Sequence, residues 1–417
     1  MGKQQVAQRW LCPRSGLVLV CGALLLSGCL LDTLGGAFSY RPEQMQTGLS
    51  AGARELVRRN LADLGSAGVV DYHVHILGLG TGSSGAFVNA DMGSWLHPIQ
   101  RFKLDIYMSA SGIEDPADAD RQYMERMVSL MRHFGRQGRY YILAFDRYYD
   151  AAGNAVPAMT NFYIPNEYVF ALAAQYPELL VPVMSIHPYR ADAIAELERW
   201  VAGGGRVLKW LPNAMGIDPG DPRIDPFYHR MAELGVVLLS HGGTEQAVET
   251  REQQALGNPL RLRRALDRGV TVIVGHCASL GEGQDLDHPK QPLVANFKLF
   301  LRLMEEPRYR GRLFGELSGL TQRNRSEEPL RTLLARSDLH SRLINGSDYP
   351  IPAINALIST ADLERQGFIT EAERAHLNEI YEYNPLLFDF VLRRTVRHPE
   401  NGERFAASVF IPNPALP

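Results

Sequence analysis

Eight short apolar runs, most of them followed by a helical stretch, constrain this chain more than any other feature. They occupy 68–77 (GVVDYHVHIL), 103–111 (KLDIYMSAS), 179–188, 206–212, 235–243, 270–279, 312–320 and 342–350. The stretch from Asp192 to Val201 carries Ile194, Leu197, Trp200 and Val201 on one helical face, and Gly203-Gly204-Gly205 stops it. Residues 222–234 and 259–266 behave similarly, and the amphipathic run ARELVRRNLADLG closes at Gly65. Strands alternating with helices imply a parallel sheet. Eight such units over about 330 residues predict an α/β fold, a (β/α)8 TIM barrel with insertions in the βα loops. A ninth run, 139–146 (RYYILAFD), reads as an extra piece between the second and third strands. Segments 78–102 and 112–178 read as long loops over one end of the barrel, and no internal repeat is evident. With 43 Lys+Arg against 46 Asp+Glu, the chain carries no electrostatic footprint for nucleic acid.

The first 29 residues stand apart. Lys3, Arg9 and Arg14 precede the apolar run Gly16 to Leu26, the pattern of a secretory signal and too short to span a bilayer. Leu26-Ser27-Gly28-Cys29 resembles the bacterial lipobox, in which the cysteine is lipidated and becomes the new N-terminus. The expected organisation is a lipoprotein signal peptide over 1–28, a lipidated Cys29 with a tether to 50, a barrel over 51–400 and a tail over 401–417. Export would leave the protein membrane-anchored on a periplasmic or other extracytoplasmic face. Of Cys12, Cys21, Cys29 and Cys277 only the last two would remain, so no disulfide framework exists.

Barrel enzymes place their chemistry at the C-terminal ends of strands. There the sequence puts His73 and His75 (first strand), Lys209 (fourth), His241 (fifth), His276 (sixth) and Asp348 (eighth). His73 and His75, two apart on a strand, share a face, and both imidazoles are expected to face the barrel axis. Any one of these alone is more often structural, and Gly-Ser-Asp alone could be a turn. Their joint placement points to a divalent metal centre, with Zn²⁺ the natural ion for imidazole and carboxylate donors.

These residues resemble the amidohydrolase superfamily, in particular its amidohydrolase-related branch. That branch contains hydrolases and the aminocarboxymuconate-semialdehyde decarboxylase type of enzyme. The resemblance runs from about Gly68 to Phe390. It is carried by Asp71-Tyr72-His73-Val74-His75, Asn166-Glu167-Tyr168-Val169, Leu208-Lys209-Trp210-Leu211-Pro212, Ser240-His241-Gly242-Gly243, Val274-Gly275-His276, Gly346-Ser347-Asp348-Tyr349-Pro350 and Asn384-Pro385. It implies that His73, His75 and Asp348 hold one metal, with His241 on the same or a second ion. His276 would ligate, orient substrate or stabilise an oxyanion, and Asp348 would also move the proton of the attacking water. In binuclear members a Lys at the position of Lys209 is carbamylated and bridges two metals; in mononuclear members it is not a ligand, and it could instead pair with a carboxylate such as Glu316.

Other residues are less determined. Asp71 could brace a ligating imidazole or simply sit in its strand. His187 and Arg190, ending the third strand, and Glu316, ending the seventh, are candidates for substrate binding; Glu245 reads as a first-turn acid and Cys277 as a packed thiol. Gly80-Thr81-Gly82-Ser83-Ser84-Gly85 matches a dinucleotide fingerprint by letter, but no amphipathic helix follows, so it reads as a mobile loop near the site. The aromatic stretch 140–163 reads as satellite core.

The expected function is hydrolysis of an ester, lactone, amide or related bond of a small molecule by metal-activated water. The alternatives are a metal-dependent non-oxidative decarboxylase of a small carboxylated substrate, and a non-catalytic binding lipoprotein on a vestigial barrel. Homo-oligomerisation is compatible with all three.

Overall fold

Val69–His75 forms the first strand, β1, with Val69 and Val74 packed in the outer core and Val70 and Tyr72 in the inner one. Seven more parallel strands follow: β2 (Gly138–Leu143), β3 (Leu180–Val183), β4 (Val207–Trp210), β5 (Val237–His241), β6 (Val272–Gly275), β7 (Leu313–Glu316) and β8 (Leu343–Ile344). The computed structural model describes residues 34–36, 39–250 and 253–417. The expected signal peptide, Cys29 and the start of the expected tether lie outside the described residues.

The strands pair as β1-β2-β3 and as β4 to β8 in order. Backbone hydrogen bonds join the two sheets. Met184 N donates to Val207 O (3.0 Å) and Lys209 N to Met184 O (2.8 Å) between β3 and β4. Tyr72 N donates to Asn345 O and His75 N to Tyr349 O, both at 2.9 Å, between β8 and β1. The barrel is therefore closed, a (β/α)8 fold.

The run at 103–111 is not a strand. It lies in helix α2 (Pro98–Ala110), after helix α1 (Ala51–Ala62). Leu104, Tyr107 and Met108 stand at i, i+3 and i+4, one helical face, and Pro98 sits in the first turn, where its missing N–H costs nothing. The second barrel strand is instead Gly138–Leu143, the run read as an extra piece. Its Tyr140, Tyr141 and Phe145 neighbours are buried, as expected of core.

Inside the barrel, Val70, Tyr72, Tyr141, Val207, Leu239 and Phe314 form a small core distinct from the larger one between strands and helices. Leu416 packs against it, Tyr72 Oη accepts from Asn413 N (3.3 Å), and Val70 N donates to Phe410 O (3.1 Å). The last residues thus close the N-terminal end of the barrel, leaving the opposite end for the site. The segment expected as a tether also packs in part: Met45 and Leu49 are buried.

Candidate metal centre

A bulge in β1 aims the first two donors. Asp71 pairs with Tyr140 and Val74 with Ile142, so Tyr72 and His73 together oppose Tyr141. The extra residue reverses the alternation. Tyr72 belongs to the inner core and Val74, two residues on, to the outer one. His73 and His75 consequently face the barrel axis, where an unbroken strand facing Tyr72 inward would have placed Val74.

His73 Nδ1 lies 2.9 Å from Glu316 Oε2, which also accepts the Ser318 hydroxyl at 2.7 Å and the His276 amide at 3.2 Å. A carboxylate can only accept, so Nδ1 carries the proton and the Nε2 lone pair of His73 faces inward. Ser318 gives its one hydrogen to Glu316, and its oxygen is left to accept from His276 Nδ1 at 2.7 Å. His276 Nε2 is thereby also a lone pair. His241 Nε2 is buried with no hydrogen-bond partner. His75 Nε2 lies 3.0 Å and His73 Nε2 3.5 Å from Asp348 Oδ1. Nζ of the buried Lys209 is 3.0 Å from His73 Nε2. Ring centroids of His73 and His276, and of His276 and His241, are 5.2 and 5.0 Å apart.

Burial, assisted by the neighbouring cations, holds His73, His241 and His276 well below the ordinary histidine pKa, so they are neutral and able to donate lone pairs. Burial also pushes the Lys209 amine down to about 8, against the opposing pull of Asp348, Glu316 and Glu245. This donor set fits a divalent cation. His73, His75 and Asp348 offer ligand atoms within 4.8 Å of one another, and the orphaned His241 Nε2 lines the same cavity. His73, His276 and Glu316 are equally close, but Glu316 Oε2 is already filled by three donors, so this second cluster supports the rings and is not a separate ion site.

The backbone is strained where the donors sit. His276, Cys277 and Ala278 take φ of 56°, 48° and 49°, and Asp348 takes 60°. Consecutive left-handed non-glycine residues persist only where their surroundings enforce them. Gly346 is required for a different reason: a Cβ there would stand 2.4 Å from Glu316 Oε1 and 2.8 Å from His73 Cβ.

Several candidates take other places. Glu316, expected at the substrate, has no exposed surface and orients His73, His276 and Ser318; it acts behind the donors. Asp71 Oδ1 accepts from His73 N (3.1 Å) and Ser347 N (2.9 Å), tying together the two ligand-bearing segments, and braces no imidazole. His187 and Arg190 are not in the cavity wall. His187 Nε2 donates to Met215 O (2.8 Å), while Arg190 pairs with Asp146 (3.1 Å) and Asp192 (2.8 Å), so their polar atoms hold the β3 loop. Lys209 faces His73 and not Glu316. Cys277 is buried, its Sγ 3.4 Å from Glu316 O. The glycine-rich loop is anchored by Asp120, which accepts from Leu79 N (2.6 Å) and the Ser84 hydroxyl and whose amide donates to Thr81 Oγ1 (3.1 Å).

The donors form the floor of a chamber of about 1000 Å³ that includes open solvent at its mouth. Its walls are apolar: Leu77, Leu104, Met108, Ile113, Phe162 and Ile164. A second recess of about 920 Å³, a vestibule, shares His241, His276 and Asp348 and adds the polar side chains of Gln322, Asn324 and Arg325 to a largely apolar lining. Arg325 and Ser318 were not singled out from the sequence. Arg325 follows no strand end directly, and only folding brings its Nη1 to Ser279 Oγ (2.8 Å) at this edge.

The family model for amidohydrolases matches residues 70–386. The chain belongs to the amidohydrolase family. The match spans the interval from β1 to the start of the closing helix, all six strand-end candidates included. Three similar solved structures illustrate the range. An uncharacterized TIM-barrel protein from Bordetella bronchiseptica is 16% identical, with 68% of this chain and 86% of that one covered and a TM-score of 0.46. 5-Carboxyvanillate decarboxylase from Sphingomonas paucimobilis is 13% identical, with 83% and 97% covered and a TM-score of 0.43. 4-Oxalomesaconate hydratase from Rhodopseudomonas palustris is 14% identical, with 77% and 91% covered and a TM-score of 0.40. No curated protein matches this sequence. Members of the family are mostly enzymes and typically bind a divalent metal.

Glu316→Gln tests the support behind the donors. An amide keeps the shape but cannot accept at every contact, so metal affinity is expected to fall about 10–100-fold, read by titration against a competing chelator. Unchanged affinity would show that Glu316 does not set the His73 and His276 tautomers.

Proposed function

We propose that this amidohydrolase is a metal-dependent hydrolase of small molecules with an apolar body, exported as a lipoprotein through Cys29. The observation that carries the reading is the convergence of neutral imidazole lone pairs and Asp348 on the floor of an apolar chamber. His73, His75, Asp348 and His241 would hold the metal, Zn²⁺ being the ion best suited to them. When bound, the metal supplies Lewis acidity, lowering the pKa of water toward about 7 and polarising a carbonyl. Asp348 accepts the proton of the attacking water and returns it to the leaving group. The chamber positions the apolar body and excludes bulk water.

His276 acts as a ligand in this reading. Its Nδ1 proton is committed to Ser318, and donating to an oxyanion from Nε2 would require a protonated ring, which burial opposes. Lys209, an amine with a lowered pKa beside His73 Nε2, would be a candidate for carbamylation, and its carbamate would then supply oxygen donors for a second ion.

A second reading, decarboxylation, is favoured by one observation: Arg325 at the vestibule could hold a substrate carboxylate beside the donors. A panel of apolar esters, lactones and amides set against carboxylated aromatics decides between them. Hydrolysis of the neutral apolar members supports the proposal. CO2 release from the acids with no hydrolysis would replace it, and inactivity with no bound metal would leave a binding protein.

A further inference from the structure

Of the large apolar side chains exposed among the described residues, five fall between Phe87 and Phe102, while Tyr40, Ile194 and Leu293 stand apart. Trp95 is 75% exposed, Leu96 87% and Ile99 71%, and Phe87 and Phe102 are less so. All lie in the insertion that builds the chamber wall: Met92 precedes the patch, and Leu104 and Met108 follow it on α2. Arg101 stacks on Trp95, its guanidinium carbon 4.0 Å from the ring centroid. No helix among the described residues is long and apolar enough to cross a membrane.

The N-terminal segment arrives at the same mouth. Leu34 lines the vestibule with Lys103 and Ile106 of α2, and Gly35 O accepts from Asn355 N at 3.3 Å. Ile99 stands about one helical turn before Lys103. Cys29 is five residues before Leu34, a reach of at most about 17 Å. An acyl chain on Cys29 would therefore hold the mouth of the barrel close to the bilayer.

We infer that Trp95, Leu96 and Ile99 form a membrane-docking surface that seats the chamber mouth on the lipid bilayer carrying the anchor. The inference rests on the reading of Cys29 as lipidated. Trp flanked by Leu, Ile and an Arg is the composition of an interfacial contact, with the aromatic ring at headgroup level and the aliphatic side chains below it. Docking would let a molecule dissolved in the lipid enter the apolar chamber without crossing water. It would also cover an apolar patch otherwise left in solvent.

The test uses the full chain produced with its own signal and reconstituted into phosphatidylcholine–phosphatidylglycerol vesicles with brominated acyl chains. Trp10 leaves with the signal when Cys29 is processed, and Trp200 and Trp210 are buried, so quenching by bromine reports Trp95. Vesicles are expected to quench the emission that Trp95→Phe removes, and the pair Leu96→Asp/Ile99→Asp should lose that quenching with near-ultraviolet dichroism unchanged. Absence of quenching with Cys29 shown acylated by mass spectrometry would overturn docking while leaving the anchor intact. Trp95 shielded in a detergent-soluble dimer would overturn it in favour of a second copy. Metal content, measured on the same samples, tests the catalytic reading separately.

Discussion

Asp348→Asn is expected to lower kcat/KM by about 10²–10⁴-fold, the range for losing a positioned acid–base group. Asn is the informative replacement. Asp348 sits at φ 60°, a left-handed conformation that Asn tolerates better than most residues. Its amide donates to His73 O at 2.7 Å, and that bond survives the substitution. What disappears is the charge 3.0 Å from His75 Nε2 and 3.5 Å from His73 Nε2, and with it the proton acceptor. Far-ultraviolet dichroism should match the parent. A folded, fully active variant would remove Asp348 from the mechanism.

Stripping the metal with a chelator is expected to abolish turnover, and reloading with Zn²⁺ or Mn²⁺ to restore it. A second readout does not depend on knowing the substrate. Neutral lone pairs facing one another in a buried site gain from a shared cation, so the loaded protein should unfold later. At a free metal concentration one hundred times Kd the gain is about 2.7 kcal/mol, seen as a higher Tm. Elemental analysis of protein purified with bicarbonate counts the ions. Two per chain, falling to one in Lys209→Ala, would support a carbamate bridge. One ion unaffected by Lys209→Ala would leave Lys209 as an amine, and none after reloading would undo the metal centre.

The positions of His73, His75, Lys209, His241, His276 and Asp348 were legible in the sequence, because each closes an apolar β run and barrel topology brings strand ends together. The run at 103–111 was misread because its spacing suits either a strand or a helix when the partner is unknown, and the pairing of β1 with 138–143 is a long-range choice. That His73 and His75 face the barrel axis was legible too; the bulge opposite Tyr141, which lets Tyr72 pack inward on the same strand, was not.

The sequence by itself determined the barrel class, seven of the eight strands and the chemical type of the donors, since local apolar patterning and residue identity carry them. Tertiary structure alone decided that Glu316 fixes the tautomers of His73 and His276, that His187 and Arg190 serve a loop, and that Arg325 borders the site. It also gave α2 two exposures, one toward the chamber and one toward solvent. The physical reason is that hydrogen-bond partners and cavity walls are set by residues far apart in the chain, such as His73 and Glu316, whose 2.9 Å contact no local pattern encodes.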